Sequence, residues 1–195
     1  MEVITLKPLL ARLLSLALLL TLMGSSCEKE ELSPLEQLPA ATQEGKNTFG
    51  CLVNGQVFVP TGQLGFGIPP YSWYYQQLTQ DYNPVKGYMF RVSASDWKGQ
   101  NKPSIGLGTY SLELKEGTVY PLGEPSVVGK AYGEYTKIAP VGLENYSIVS
   151  PLTGEMRITK FDKQKRIVSG TFWFDAVNAA GEKVEVREGR FDMGL

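Results

Sequence analysis

The stretch "IVSGTFWFDAVNAAGEKVEVREGRFDM", residues 167–193, decides the fold. Its residues alternate. Val168, Phe172, Phe174 and Ala176 share one parity, and Ser169, Thr171, Trp173 and Asp175 share the other. A period of two is the signature of a strand with one buried and one wet face. "NAAG" then turns the chain into a second alternating run, where Val184 and Val186 interleave with Glu185 and Arg187. Past that point the phase slips, because Phe191 and Met193 have the opposite parity. An extra residue near Glu188-Gly189 would return both to the core, and glycine is favoured at such a β-bulge. The stretch therefore predicts a bulged antiparallel hairpin.

The same pattern extends upstream. In "TFGCLVNGQVFVP" the pair Asn54-Gly55 separates two apolar runs, the strongest short hairpin signal, because a type I′ turn needs positive φ at both central residues. Further strands are expected at 72–79, 87–95, 104–115, 118–122, 131–138, 145–149 and 155–161, with Gly and Pro between them. No helical period of useful length follows residue 48, although a short helix near Leu35 would fit. The expected domain, 48–195, is all-β: a single antiparallel β-sandwich or a partly closed β-barrel.

The start of the chain reads differently. "LLSLALLLTLM", residues 13–23, is apolar but for Ser15 and Thr21. It is too short for a bilayer span of about 20 residues. Lys7 and Arg12 precede it and small residues follow, which is the layout of a secretory signal rather than of a core helix with a polar face. Gly24-Ser25-Ser26-Cys27 resembles the lipobox of bacterial lipoproteins, although Gly24 stands where that family usually has leucine. The resemblance implies cleavage after residue 26 and acylation of Cys27 by palmitate-type chains, giving a membrane anchor. The alternative is a simple secreted protein cut near Ser26. Lys29-Glu30-Glu31 resembles the surface-export signal of Bacteroidota lipoproteins, and reads equally as a solvated linker. Residues 27–47, with Pro34 and Pro39, are expected to be a flexible tether that holds the domain roughly 25 Å from the lipid. The implied address is the cell envelope: an outer-membrane lipoprotein, periplasmic or surface-exposed.

Removing residues 1–26 leaves 17 basic and 19 acidic side chains, since Glu2, Lys7 and Arg12 leave with the signal. That balance offers no basic stripe for nucleic acid and no polybasic patch for anionic lipid. There is no histidine, which excludes Ser-His-Asp and Cys-His nucleophile pairs and the HExxH zinc helix. No cofactor or metal motif is present. Gly106-Leu107-Gly108 begins a dinucleotide fingerprint and does not complete it. Cys51, in an apolar run, reads as a small buried hydrophobe.

Two clusters remain. Asp175, Glu182, Glu185, Glu188 and Asp192 lie among Lys183, Arg187 and Arg190 on the last hairpin. Paired carboxylates can hydrolyse glycosides, whereas charge pairing across strands on a solvent face explains the same pattern. The run Tyr71-Ser72-Trp73-Tyr74-Tyr75 follows a Gly/Pro-rich loop that contains Phe66 and Ile68. Aromatic rings on a rigid sheet stack on sugar faces or anchor protein partners. Tyr71, Trp73 and Tyr75 share a face and are the candidate ligand or partner surface. Trp97 is a companion in the next turn, and Tyr74 is expected in the core. The partner would be a glycan or an envelope protein.

"TFGCLVNG" and "ITKFDKQKRIVSGTFWFDAVNAAGEKVEVREGRFD" also resemble an uncharacterised Bacteroidota lipoprotein family, over roughly residues 47–193. The resemblance implies no catalytic residues. The expected function is therefore a membrane-tethered, non-catalytic binding module. The alternatives are a carboxylate-based envelope hydrolase and a structural accessory subunit of an outer-membrane assembly.

Overall fold

A computed structural model describes residues 32–65, 67–78, 86–140 and 142–194. The signal, Cys27, Lys29-Glu30-Glu31 and Phe66 lie outside the described residues. Eleven strands form one sheet, and no helix occurs among the described residues. In chain order they are β1 (Thr48–Val53), β2 (Gln56–Phe58), β3 (Tyr71–Leu78), β4 (Gly87–Ser95), β5 (Ser104–Tyr110) and β6 (Val119–Gly123). There follow β7 (Lys130–Ala139), β8 (Gly142–Ser147), β9 (Gly154–Asp162), β10 (Ile167–Val177) and β11 (Lys183–Met193). Where the sequence predicts one strand over 104–115, the ladder ends at Tyr110 and the chain turns at Ser111, whose φ is 57°. At Leu35 there is a single turn, closed by the Glu36 carboxylate, which accepts from both the amide and the hydroxyl of Ser33.

The strand order is β2-β1-β11-β10-β9-β6-β7-β5-β4-β3. All these pairings are antiparallel except β6 with β7. β8 pairs with β7 along its whole length and touches β10 at Val177↔Ser147. The strands β7, β6, β9, β10 and β8 therefore run round in a ring, while β5-β4-β3 and β11-β1-β2 extend from it. The arrangement is all-β and mostly antiparallel, consistent with the sandwich or partly closed barrel that the alternation implies. The two extensions face each other. The Phe90 ring of β4 lies 6.3 Å from that of Phe191 in β11, and Phe49, Phe172 and Phe174 continue the contact inward. All five are buried.

The last hairpin behaves as its sequence indicates. Phe172 pairs with Gly189 and Phe174 with Val186, so β11 holds one extra residue there. Val184, Val186, Phe191 and Met193 all reach the core. The positive φ of the bulge, 54°, falls on Glu188 rather than on the glycine. Gly189 is required for space instead: a Cβ there would stand 2.5 Å from the Phe172 ring. Asn54 and Gly55 have φ of 50° and 78°, as a type I′ turn demands. Asn54 also donates its N–H to the Glu185 carbonyl and accepts the Glu185 N–H on its side-chain oxygen.

The expected flexible tether is corrected over its second half. Leu38 is buried, and Pro39 covers Gly50 so closely that a Cβ there would overlap its ring. Residues 38–47 form a strap across the outer face of β1 and β11. Its centre is Asp192, which lies on that outer face and is only 1 % exposed. The carboxylate accepts from the Thr42 hydroxyl, from the amides of Glu44, Gly45 and Lys46, and from the Ser169 hydroxyl of β10. Burial alone would raise the pKa of Asp192, but these donors outweigh it and hold the group down at about 2.

Candidate functional site: an aromatic cleft beside the first edge strand

β3 ends the sheet on one side, and its alternation sets which rings point where. Tyr71, Trp73 and Tyr75 share a face, as their spacing predicts. That face is the inner one. They pair with Ala94, Val92 and Phe90 of β4, all three buried, and residues opposed across a ladder share a face. The three rings are consequently half-buried and packed against the core. Tyr74, expected in the core, is 38 % exposed on the outer face, with its hydroxyl 3.2 Å from Met89 Sδ. The expectation of an exposed row with a buried Tyr74 is thus reversed. The physical reason is that β4 supplies no apolar residue on its outer face except Met89, so the ring that packs least goes outside.

The inward row is not sealed. At its far end Trp73, Tyr75, Tyr88, Phe161, Lys163 and Arg166 line a cleft of about 410 Å³. Tyr75 and Tyr88 stack with centroids 4.9 Å apart and planes 4° from parallel. Phe161 meets Tyr75 edge-on at 4.8 Å. Such pairs contribute about 0.5–1.5 kcal/mol beyond the area they bury, so the wall is stiff. The Lys163 ammonium stands 5.4, 5.2 and 5.6 Å from the centroids of Tyr75, Tyr88 and Phe161. It also pairs with Glu113 at 3.3 Å.

The β9–β10 turn delivers that lysine. Asp162 accepts the amides of Gln164 and Lys165, and the Lys165 hydrogen bond foremost holds its carboxyl below the ordinary range. Arg166 closes the turn with φ of 54°, and its side chain is exposed at the cleft mouth. Burial pushes the Tyr75 phenol up to about 12, so it remains a neutral hydroxyl at any physiological pH. The Trp73 indole N–H points to the Gly194 carbonyl at 3.5 Å, which ties β3 to the end of β11.

Trp97 is not brought to the cleft. It follows the other end of β4, where its N–H donates to the Thr61 carbonyl and its Cβ packs near Gly62. Conversely, Tyr88, Phe161 and Lys163 are cleft residues that the sequence does not single out. They meet Tyr75 only because the sheet curls and carries the β9–β10 turn over β3.

The acids of the last hairpin are largely engaged. Arg187 pairs with Asp175 at 2.6 Å and lies 3.7 Å from Glu185, while Arg190 reaches Glu188 at 3.5 Å. Glu182 accepts from Tyr146 and Asn178. Asp192 is enclosed by the strap. Cys51 is free and fully buried, and burial pushes its thiol pKa up. The two glycines of Gly106-Leu107-Gly108 make room on the outer face, where Tyr132 lies over Gly108 and the Arg91–Glu134 ion pair over Gly106.

Residues 99–193 match the family described as a domain of unknown function, DUF6252. The match begins after β4 and ends at the last residue of β11, so it takes in Phe161 and Lys163 but not the β3 side of the cleft. No solved structure matches the chain.

Proposed function

We propose that the chain is a Bacteroidota envelope lipoprotein, anchored through acylated Cys27, and that its domain is a non-catalytic binding module whose ligand seats in the cleft of Tyr75, Tyr88, Phe161 and Lys163. One observation carries the reading: three aromatic rings held in fixed mutual geometry around a cation, open to solvent in a space of small-ligand size. Rings present flat apolar area, while Lys163 and Arg166 supply donors at the rim. A glycan or a side chain of an envelope protein would find both. The hydrolase reading draws no support from the last hairpin, because its acids are engaged with arginines, with neighbouring polar groups or with the strap. The accessory-subunit reading draws on one feature, the tip of the β7–β8 hairpin, where Ile138 and Leu143 are paired and both exposed.

The test is retention. The full chain in detergent micelles is immobilised, and solubilised envelope glycans and proteins are passed over it. The double variant Tyr88→Ala/Lys163→Ala should retain at least tenfold less of the bound material while keeping its circular dichroism spectrum. Equal retention by wild type and double variant would overturn the cleft as the site, and so would no retention by either.

A further inference from the structure

The outer face of β9, β10 and β11 carries a second hollow, of about 500 Å³, that shares no residue with the cleft. Its floor follows from the register. Arg157 stands opposite Thr171, and Thr171 opposite Arg190. One step along, Glu155 stands opposite Trp173. Opposed residues on one face lie about 5 Å apart, and successive residues on one face about 7 Å. Gly189 borders the hollow at the bulge, where its backbone carries no outward side chain. Ala41 of the strap lines the same hollow, in the segment pinned by Asp192.

The charges in this hollow are unequally employed. Arg187 is committed: it pairs with Asp175, donates to the carbonyls of Phe174 and Val186, and lies 5.6 Å from the centroid of Trp173. Arg190 donates to the backbone and carboxylate of its neighbour Glu188. The side chains of Arg157 and Glu155 have no polar partner among the described residues. What remains open is one planar donor fork, one carboxylate acceptor and the Thr171 hydroxyl, beside an indole. The two open groups are of opposite sign and stand about 7 Å apart on one strand, a donor beside an acceptor. A ligand that satisfies them must both donate and accept, and must carry an apolar face for the ring. A pyranose does so: its hydroxyls donate to a carboxylate and accept from a guanidinium, and its C–H face packs on an aromatic ring.

The geometry points to this hollow as a second binding site, one that takes a neutral saccharide ring against Trp173 between Glu155 and Arg157. It stands whether or not the aromatic cleft is occupied.

The experiment uses the full chain in detergent, fluorescently labelled, on an array of neutral hexasaccharides (gluco-, manno-, xylo- and N-acetylglucosamine chains), uronate hexasaccharides and unstructured hexapeptides. At least one neutral chain should bind. Glu155→Gln and Arg157→Gln should each weaken it tenfold or more, with thermal unfolding unchanged because neither side chain has a partner to lose. The cleft variant Tyr88→Ala/Lys163→Ala should leave it intact. Several outcomes overturn the proposal: no neutral chain bound, uronates or peptides bound in preference, indifference to both substitutions, or loss in the cleft variant alone. Failure in the cleft variant alone would assign the sugar to the cleft, so the two sites are told apart.

Discussion

Thr42 Oγ1 lies 2.5 Å from Asp192 Oδ2, joining residues 150 positions apart. The contact makes a stretch of linker composition part of the fold. Asp192→Asn keeps the shape and removes the charge that the three strap amides face. It should cost on the order of 2 kcal/mol, near the worth of a pKa displaced from about 3.9 to about 2. The sign follows from the lowered folded pKa: the stabilisation is complete above about pH 4 and is lost as pH falls towards 2. Urea unfolding at pH 6, 4, 3 and 2.5 checks this, and the Asn variant should lack that share of the acid loss.

The face assignment on β3 yields a paired test. Tyr75→Ala removes a ring that is stacked on Tyr88 and packed against the core, and should cost about 2–3 kcal/mol, below the full core value because the ring is only half-buried. Tyr74→Ala should stay within about 1 kcal/mol, since its ring is exposed. Denaturation midpoints of the two variants decide it, and a larger loss for Tyr74 would refute the inward orientation of Trp73 and Tyr75.

The bulge separates two demands that sequence merges into one. Gly189→Ala places a methyl into the Phe172 ring and should destabilise by about 1–3 kcal/mol. Glu188→Gly relieves the residue that carries the positive φ, and should be neutral or mildly stabilising. Calorimetric melting of both variants checks the assignment.

Cys27→Ala should abolish incorporation of radiolabelled palmitate and move the protein from the membrane pellet to the soluble fraction. Continued labelling would show that the acyl chains sit elsewhere.

If Lys29-Glu30-Glu31 direct export to the surface, replacing all three with Ala should protect the protein from protease on intact cells while it still sediments with membranes. Unchanged cleavage would leave the segment a linker.

The last two strands were legible because each carries its own period. Ile167–Val177 and Lys183–Met193 can be read residue by residue, and the phase slip at Phe191 reveals the bulge before any contact is known. The strap was not legible, because its bonding uses the backbone amides of Glu44, Gly45 and Lys46, which every residue type except proline possesses. On β3 the shared face of Tyr71, Trp73 and Tyr75 was legible, but its direction was not. Tyr and Trp suit a wet or a dry surface, and the choice was made by Phe90 and Val92 on the neighbouring strand. Phe161 and Lys163 reach Tyr75 from far along the chain, and nothing local in either segment encodes that meeting.

The pairing of β1 with β11 has a consequence in time. Thr48 meets Asp192, and apart from the three-residue β2 the first strand has no other partner among the described residues. During synthesis, therefore, the early part of the chain waits for the final eleven-residue strand before its hydrophobic face can close. Such distant pairings make folding slow. The strand made first is thus among the last to be locked into the sheet.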